Sequence, residues 1–301
     1  MKEPIIIHSI SEQYQLFSLP KPEHPLIGVV NFSDIKRVPG DEVPHDIQVN
    51  LYTIAIKKGF TGSCKYGQNN YDFDQGAMIF IAPGQTVTFE AGNPFSGWLL
   101  TIHPDFIRNT PLAKKFADCG FFSYSLSEAL YLSEKEEKMI ETIMKNIKSE
   151  YRSVIDNYSQ DVMVSHIELL LSYSTRYYNR QFITRKTANN DLLIKLEVIL
   201  AEYFDSEQVK QYGLPSVQYL SERLNLSPQY LSDMLRKHTG QNAQQHIHNK
   251  LIEKAKDILS ATNLTVSEIA YNLGFEYPQS FSKLFKNKTN LSPSEYRNSF
   301  N

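Results

Sequence analysis

The sequence predicts an α+β chain of more than one domain. It reads as a β-rich N-terminal region closed into a barrel, a hairpin of two amphipathic helices, and an all-α C-terminal region made of two similar helix pairs. Three observations predict this. Short runs of Val, Ile, Thr and aromatic residues fill the first 125 positions, and the hydrophobic period changes to that of a helix after Ser133. A segment near the C-terminus repeats itself at an offset of 50 residues. The charge also changes sign along the chain: residues 1–212 carry 21 Lys/Arg against 26 Asp/Glu, and residues 213–301 carry 10 against 7. A basic segment following an acidic one fits a polyanion-binding domain joined to a domain of another kind.

Length and composition set the limits. At roughly 100–200 residues per domain, the 301 residues make two domains. A hydrophobic share of 41% with 21% charged residues belongs to a packed core and not to a disordered chain. The apolar runs, such as residues 5–7 and 78–82, are a few residues long. A spanning helix needs about 20, so no membrane is expected as a partner. The opening Met1-Lys2-Glu3-Pro4, three isoleucines and His8 are too short for a signal peptide. Cys64 and Cys119 cannot build a disulfide framework. The expectation is a soluble, cytoplasmic protein.

Residues 26–32, 49–57, 77–81, 86–89 and 97–103 read as strands. Turn chemistry separates them at Pro39-Gly40, Lys58-Gly59, residues 67–70, Pro83-Gly84 and Gly92-Asn93-Pro94. Many short strands suggest a barrel or sandwich, and a small closed barrel can hold one small ligand. Tyr52, Tyr66, Trp98 and His103 lie on or beside these strands. Such side chains suit a small amphipathic effector, and they suit ordinary core packing just as well.

Ser133 and Glu136 form a capping box, and Met139, Ile140, Ile143, Met144, Ile147, Tyr151, Val154 and Ile155 follow at helical spacing. After a break at Asp156-Asn157, a second helix over 159–178 carries Met163, Ile167, Leu170, Leu171, Ser174 and Tyr178 on one side. Two such helices make an αα-hairpin. Its stripes either pack on the barrel or form the seam of a homodimer. Residues 181–190 are polar and read as a linker, giving domains of 1–130, 131–180 and 191–301. A helix over 192–204 opens the last of these.

The repeat carries the functional reading. Residues 227–239 align with 277–289, so that Pro228, Gln229, Ser232 and Thr239 meet Pro278, Gln279, Ser282 and Thr289. Leu231 meets Phe281, Leu235 meets Phe285 and Arg236 meets Lys286. Upstream the offset falls to 49, so the second copy has one extra residue in its turn. Each copy reads as two helices joined by a short turn. Pro228 and Pro278 sit at first helical positions, Ser227 is a good N-cap, and Gly274 can adopt positive φ after its helix. A longer helix over 243–260 joins the copies. A helix pair with so short a turn is the signature of a DNA reader.

In each second helix the apolar pair at i, i+4 points inward. The first then shows Gln229, Ser232, Asp233 and Arg236 outward, and the second shows Gln279, Ser280, Ser282, Lys283 and Lys286. Gln can pair bidentately with adenine, Lys reads guanine, Asp accepts from cytosine, and Ser serves base or phosphate. Arg236, Lys237, Lys286 and Lys288 come later in the helices and suit phosphates. A connecting helix of ~17 residues spans ~25 Å. It can hold two readers near one duplex turn apart.

These residues resemble the DNA-binding domain of the AraC/XylS family of bacterial transcription regulators. The resemblance is strongest at Val266-Ser267-Glu268-Ile269-Ala270, Gly274-Phe275, Phe281-Ser282, Leu284-Phe285-Lys286 and Leu291-Ser292-Pro293-Ser294-Glu295-Tyr296-Arg297. It covers about a third of the chain. It implies promoter DNA as partner, through Gln229, Ser232, Asp233 and Arg236 in one recognition helix and Gln279, Ser280, Ser282 and Lys283 in the other. It further implies a cupin-like N-terminal barrel for a small effector, dimerising helices, contact with RNA polymerase, and often activation. Asp233 stands where the family commonly has Arg, Ser221 replaces the usual Ala, and Asn290 stands opposite Gly240.

Other chemistry finds little support. The β-rich region has only the scattered His8, His24, His45 and His103, and His246 and His248 are two apart on a helix and do not face each other. No nucleophile elbow, phosphate loop or dinucleotide fingerprint occurs, so neither a cofactor nor a catalytic residue is expected. Two alternatives stay open: a cupin-class enzyme with a DNA-binding tail, and a regulator whose barrel docks a protein.

Overall fold

A computed structural model of the chain describes residues 5–35, 45–58, 64–66, 69–71, 76–89, 96–154, 156–184 and 186–299. Two units result, Met1–Gln181 and Phe182–Asn301. The first contains, in order, β1 (Ile5–Ile7), α1 (Ile10–Leu16), β2 (Ile27–Asn31), β3 (His45–Val49), β4 (Tyr52–Lys58), β5 (Cys64–Tyr66), β6 (Asn69–Tyr71), β7 (Ala77–Ile81), β8 (Gln85–Phe89) and β9 (Ser96–Ile102). It continues with α2 (Pro104–Ile107), α3 (Pro111–Asp118), β10 (Leu130–Tyr131), α4 (Glu134–Tyr151) and α5 (Ser159–Thr184), which runs three residues beyond Gln181.

Among the described residues the strands do not close into one barrel. Among the described residues they form a five-stranded sheet ordered β10-β7-β4-β9-β2, a three-stranded sheet β1-β3-β8 and a hairpin β5-β6. A barrel needs every strand paired on both sides, whereas β2 and β10 are each paired on one. The run 49–57, read as one strand, is two: Val49 ends β3, and Tyr52 starts β4 in the other sheet. The proposed turns at Pro39-Gly40 and Gly92-Asn93-Pro94 lie outside the described residues.

The five-stranded sheet is covered on both faces, so its strands read as continuous apolar runs instead of alternating ones. Val30, Ala55 and Leu99 join Ile7, Ile47, Val49 and Leu51 in one core. Helix α1, which the β-dominated reading of this region missed, packs into that core with Ile10 and Tyr14. Ser9 caps it, accepting from Glu12 N at 3.2 Å. Tyr14 Oη accepts from Val29 N at 3.1 Å, and Thr101 Oγ1 donates to Gln13 at 2.8 Å. At Gly28 a Cβ would meet Thr101 Oγ1 at 2.7 Å and the Tyr14 ring at 2.9 Å, so only glycine lets the helix lie this close. The opposite face packs Phe80 against Phe121, Phe122 and Tyr178, and Tyr52 against Phe116 and Phe122.

Both halves of the Ser133/Glu136 capping box form at the start of α4. Ile140, Ile143, Met144, Ile147 and Tyr151 are buried, as are Met163, Ile167, Leu170, Leu171, Ser174 and Tyr178 of α5. Met139 and Val154, read as part of the stripe, are instead exposed. Residues 181–190 are helical on both sides of Arg185, with Gln181 and Asn189 buried. Two of the polar residues there are tied by hydrogen bonds: Gln181 Nε2 donates to the Ala129 carbonyl at 3.2 Å, and Asn189 Nδ2 donates to the Phe182 carbonyl at 2.6 Å.

The second unit is all α: α6 (Lys186–Asp205), α7 (Gln208–Tyr212), α8 (Val217–Leu224), α9 (Pro228–Thr239), α10 (Ala243–Ala261), α11 (Val266–Asn272), α12 (Pro278–Thr289) and α13 (Pro293–Asn298). Among the described residues no helix is long and apolar enough to cross a membrane.

Candidate nucleic-acid interface

The duplicated helix pairs are α8–α9 and α11–α12. Their turns show the same solution reached with different residues. After α8, Asn225 takes a left-handed conformation with φ 56°, and Leu226 N donates back to the Ser221 carbonyl at 2.9 Å. After α11, Gly274 has φ 82°, and Phe275 N donates to the Ala270 carbonyl at 3.0 Å. Both are Schellman-type stops, which bring a half-buried hydrophobic residue in just behind the cap. Phe275 then packs on Phe281, ring centroids 5.5 Å apart. The one extra residue of the second turn is Glu276, and it precedes Tyr277, the N-cap of α12.

Recognition-helix candidates α9 and α12 have 12 residues each. Leu231, Met234 and Leu235 are fully buried in the first, and Phe281 and Phe285 in the second. Both helices end on a left-handed residue, Gly240 at φ 79° and Asn290 at φ 63°. Thr239 and Thr289 repeat the same hydrogen bonds, each donating back four residues to Leu235 and Phe285. Ser221, standing where Ala270 stands in the other copy, is fully buried and satisfies its hydroxyl on the Gln218 carbonyl at 2.8 Å.

With the apolar side fixed, the polar side faces out. Gln229, Arg236 and Lys237 are exposed on α9, with Ser232 and Asp233 half-buried. Gln279, Ser280, Lys283, Lys286 and Lys288 are exposed on α12, and Ser282 is half-buried with its hydroxyl on the Pro278 carbonyl at 3.1 Å. On α9 the residues are tied together. Asp233 accepts from Gln229 Nε2 at 3.0 Å and from Arg236 Nη1 at 2.9 Å. The position equivalent to Asp233 in α12 is Lys283. The two faces are thus alike in shape and opposite in charge at their centre. The role of Asp233 as a tether was not read from sequence, although the spacings i, i+4 and i, i+3 of Gln229, Asp233 and Arg236 are the signal for it.

The quoted tail motif has local physical roles. Thr265 with Glu268 and Ser292 with Glu295 form complete capping boxes at α11 and α13. The backbone and hydroxyl hydrogen bonds they receive hold the Glu268 and Glu295 carboxyls below the usual range. Pro293 starts α13, and Tyr296 packs its ring on Phe285 at 5.5 Å. Arg297 donates to the Leu264 carbonyl at 2.6 Å and the Leu259 carbonyl at 3.3 Å, closing the end of α10. The two histidines of α10 go to separate partners: His246 Nε2 pairs with Thr239 Oγ1 at 2.9 Å and His248 Nε2 with Gln244 at 3.0 Å.

Tyr52, Trp98 and His103 of the first unit do not gather round one space. Tyr52 and Trp98 share a sheet face, but Trp98 pairs with Ile56, four residues along β4 from Tyr52. That separation is about 13 Å. Tyr52 packs into the phenylalanine cluster, and His103 caps α2 by accepting from Asp105 N at 3.1 Å. The side chain of Tyr66 lies outside the described residues.

A family model described as a helix-turn-helix domain matches residues 220–299. The HTH-type transcriptional activator RhaS of Salmonella schwarzengrund is 30% identical over 135 residues, which cover 44% of this chain and 46% of that protein. The Msm operon regulatory protein of Streptococcus mutans is 34% identical over 88 residues, 29% of this chain and 32% of that one. The chain thus spans less than half the length of these curated relatives. The C-terminal domain of the response regulator yesN from Fusobacterium nucleatum is 35% identical, covering 36% of this chain and 98% of that domain at a TM-score of 0.31. The C-terminal unit, with two helix pairs built on one plan and a matching tail, is thus a helix-turn-helix domain of the AraC type.

Proposed function

We propose that the protein is a sequence-specific regulator of transcription that reads double-stranded promoter DNA with α9 and α12. The observation that carries the reading is the pairing of two 12-residue helices, each with one face fully buried and the opposite face polar and open. Gln229 and Gln279 open the helices and face base edges, while Arg236, Lys237, Lys286 and Lys288 meet phosphates. Lys283, at the centre of its face, reads guanine. Helix α10, 19 residues long, is the strut between the readers. The reading extends to the N-terminal unit as a cupin-like sensor of a small effector and to RNA polymerase as a partner. It also includes a homodimer through the outer side of α4 and α5, where Met139, Val162 and Leu169 stay exposed.

Gel-shift titrations at several salt concentrations test it. Lys283→Ala is expected to relax base preference at one position and cost ~1–3 kcal/mol of binding. Arg236→Ala is expected to weaken all sequences alike and to flatten the salt slope by about one. No change from either variant would sink the assignment of these helices. Asp233→Ala moves the other way. It removes a negative charge from the DNA-facing side and frees Gln229, so binding to unrelated duplexes rises. No rise would mean that Asp233 does not oppose the duplex.

A further inference from the structure

A cleft of about 520 Å³ opens in the N-terminal unit where the segment before β2, helix α2, the end of α4 and the start of α5 come together. Its size falls in the range of small-molecule sites. None of Tyr52, Trp98 and His103 lines it. Its floor is apolar, made by Leu26, Ile27, Phe106, Tyr151 and Met163, the last four buried. The remaining charged lining is of one sign: Glu23, Asp105, Glu150 and Asp156, with no lysine or arginine.

These carboxylates are not equivalent. Asp105 is answered by Arg108 at 2.8 Å. Asp156 is used up at the start of α5, accepting from Tyr158 N at 2.8 Å and Ser159 N at 2.9 Å, bonds that hold it below the usual carboxylate range. Glu23 and Glu150 have no side-chain hydrogen bond or ion pair among the described residues. Lys148, near enough to feel the charge of Glu23, is committed to the Val29 carbonyl at 2.7 Å and does not line the cleft. The wall beside Glu23 is fixed in advance: its N–H donates to Tyr151 Oη at 2.8 Å. His24 Nδ1 accepts from Leu26 N at 3.0 Å, and burial pushes its pKa down, so the ring adds no positive charge at neutral pH.

We propose that this cleft binds a small amphipathic cation, an ammonium or amidinium group on an apolar or aromatic body. The charged end sits between Glu23 and Glu150, and the body lies on Phe106, Met163 and Tyr151. Two unpaired carboxylates beside an apolar wall favour a cation and repel an anion, and aromatic walls add cation–π attraction. Bound there, the ligand touches the last turn of α4 and the first of α5 and so stiffens the connection between them. The ligand's role as an effector rests on the regulator reading; its binding does not.

Calorimetric titration of the full chain with benzyltrimethylammonium, benzyl alcohol and benzoate tests the proposal. The cation is expected to bind saturably at one site, about tenfold tighter than the alcohol, with no binding of benzoate. Glu23→Gln combined with Glu150→Gln is expected to weaken the cation about tenfold and leave the alcohol unchanged. Glu150→Gln alone, checked by its melting curve, serves if the double variant does not fold. Benzoate binding as tightly as the cation, or a cation affinity untouched by the glutamines, overturns the proposal. Gel shifts on the same preparations report separately. A protein that binds a duplex but not the cation keeps the regulator reading and loses the cleft; one that binds the cation but no duplex does the reverse.

Discussion

Phe281→Ala is expected to melt the second helix pair, at a cost of about 3–5 kcal/mol. The ring is fully buried and lies between Phe275 at 5.5 Å and Phe285 at 5.8 Å, which in turn packs on Tyr296. Phe275 of the turn and Phe285 of the same helix therefore lose their common neighbour. The pair is small, so its other contacts cannot close the hole. Chemical denaturation followed by circular dichroism measures the loss. Because α12 then no longer presents Lys283 and Lys286, duplex binding should fall with it, even though no DNA-facing residue has changed. A stability loss under about 1 kcal/mol, of the size expected at surface sites, would mean that these rings are not one core.

Gly274→Ala is the second large effect. The residue sits at φ 82°, where an L side chain is strained by about 1–2 kcal/mol. A Cβ there would also meet the Val209 carbonyl oxygen at 2.5 Å and Gly213 Cα at 2.9 Å. Both are backbone atoms, so neither can step aside like a side chain. The sum is on the order of 3 kcal/mol or more. Asn290→Gly is the matching control. Asn290 holds φ 63° at the end of α12, and glycine there removes strain, so stability should stay level or rise slightly. Melting temperatures of the two variants should move apart. If Gly274→Ala melts with the parent protein, the turn adopts some other conformation in solution.

The C-terminal unit was legible because its signals are local. Capping residues, prolines at first helical positions and the spacing of Leu231, Leu235, Phe281 and Phe285 each act within one or two turns, and the repeat doubled every one of them. The N-terminal unit depended on distant pairing, which no window of sequence contains. The parallel pair β1–β3 joins Ile5 to Ile47, and the change of sheet between Val49 and Tyr52 leaves no mark beyond Asn50. Helix α1 is only seven residues long, too short for its period to show. The cleft was invisible for the same reason. Glu23, Phe106, Glu150 and Met163 come from four segments with no shared spacing, whereas of the aromatics singled out by type Tyr52 packs on Phe116 and His103 caps a helix.

The charge reversal between Asp233 and Lys283 gives the second unit a direction. Two identical readers in tandem would have the same preference at both halves of a site. Here one end of the tandem carries an internally neutralised face and the other a lysine-rich one, so on the proposed reading the two halves of a site are met by different chemistry. On the proposed reading, a promoter with the site inverted is a different promoter, and the protein's exit side, and with it anything it recruits, would point upstream instead of downstream.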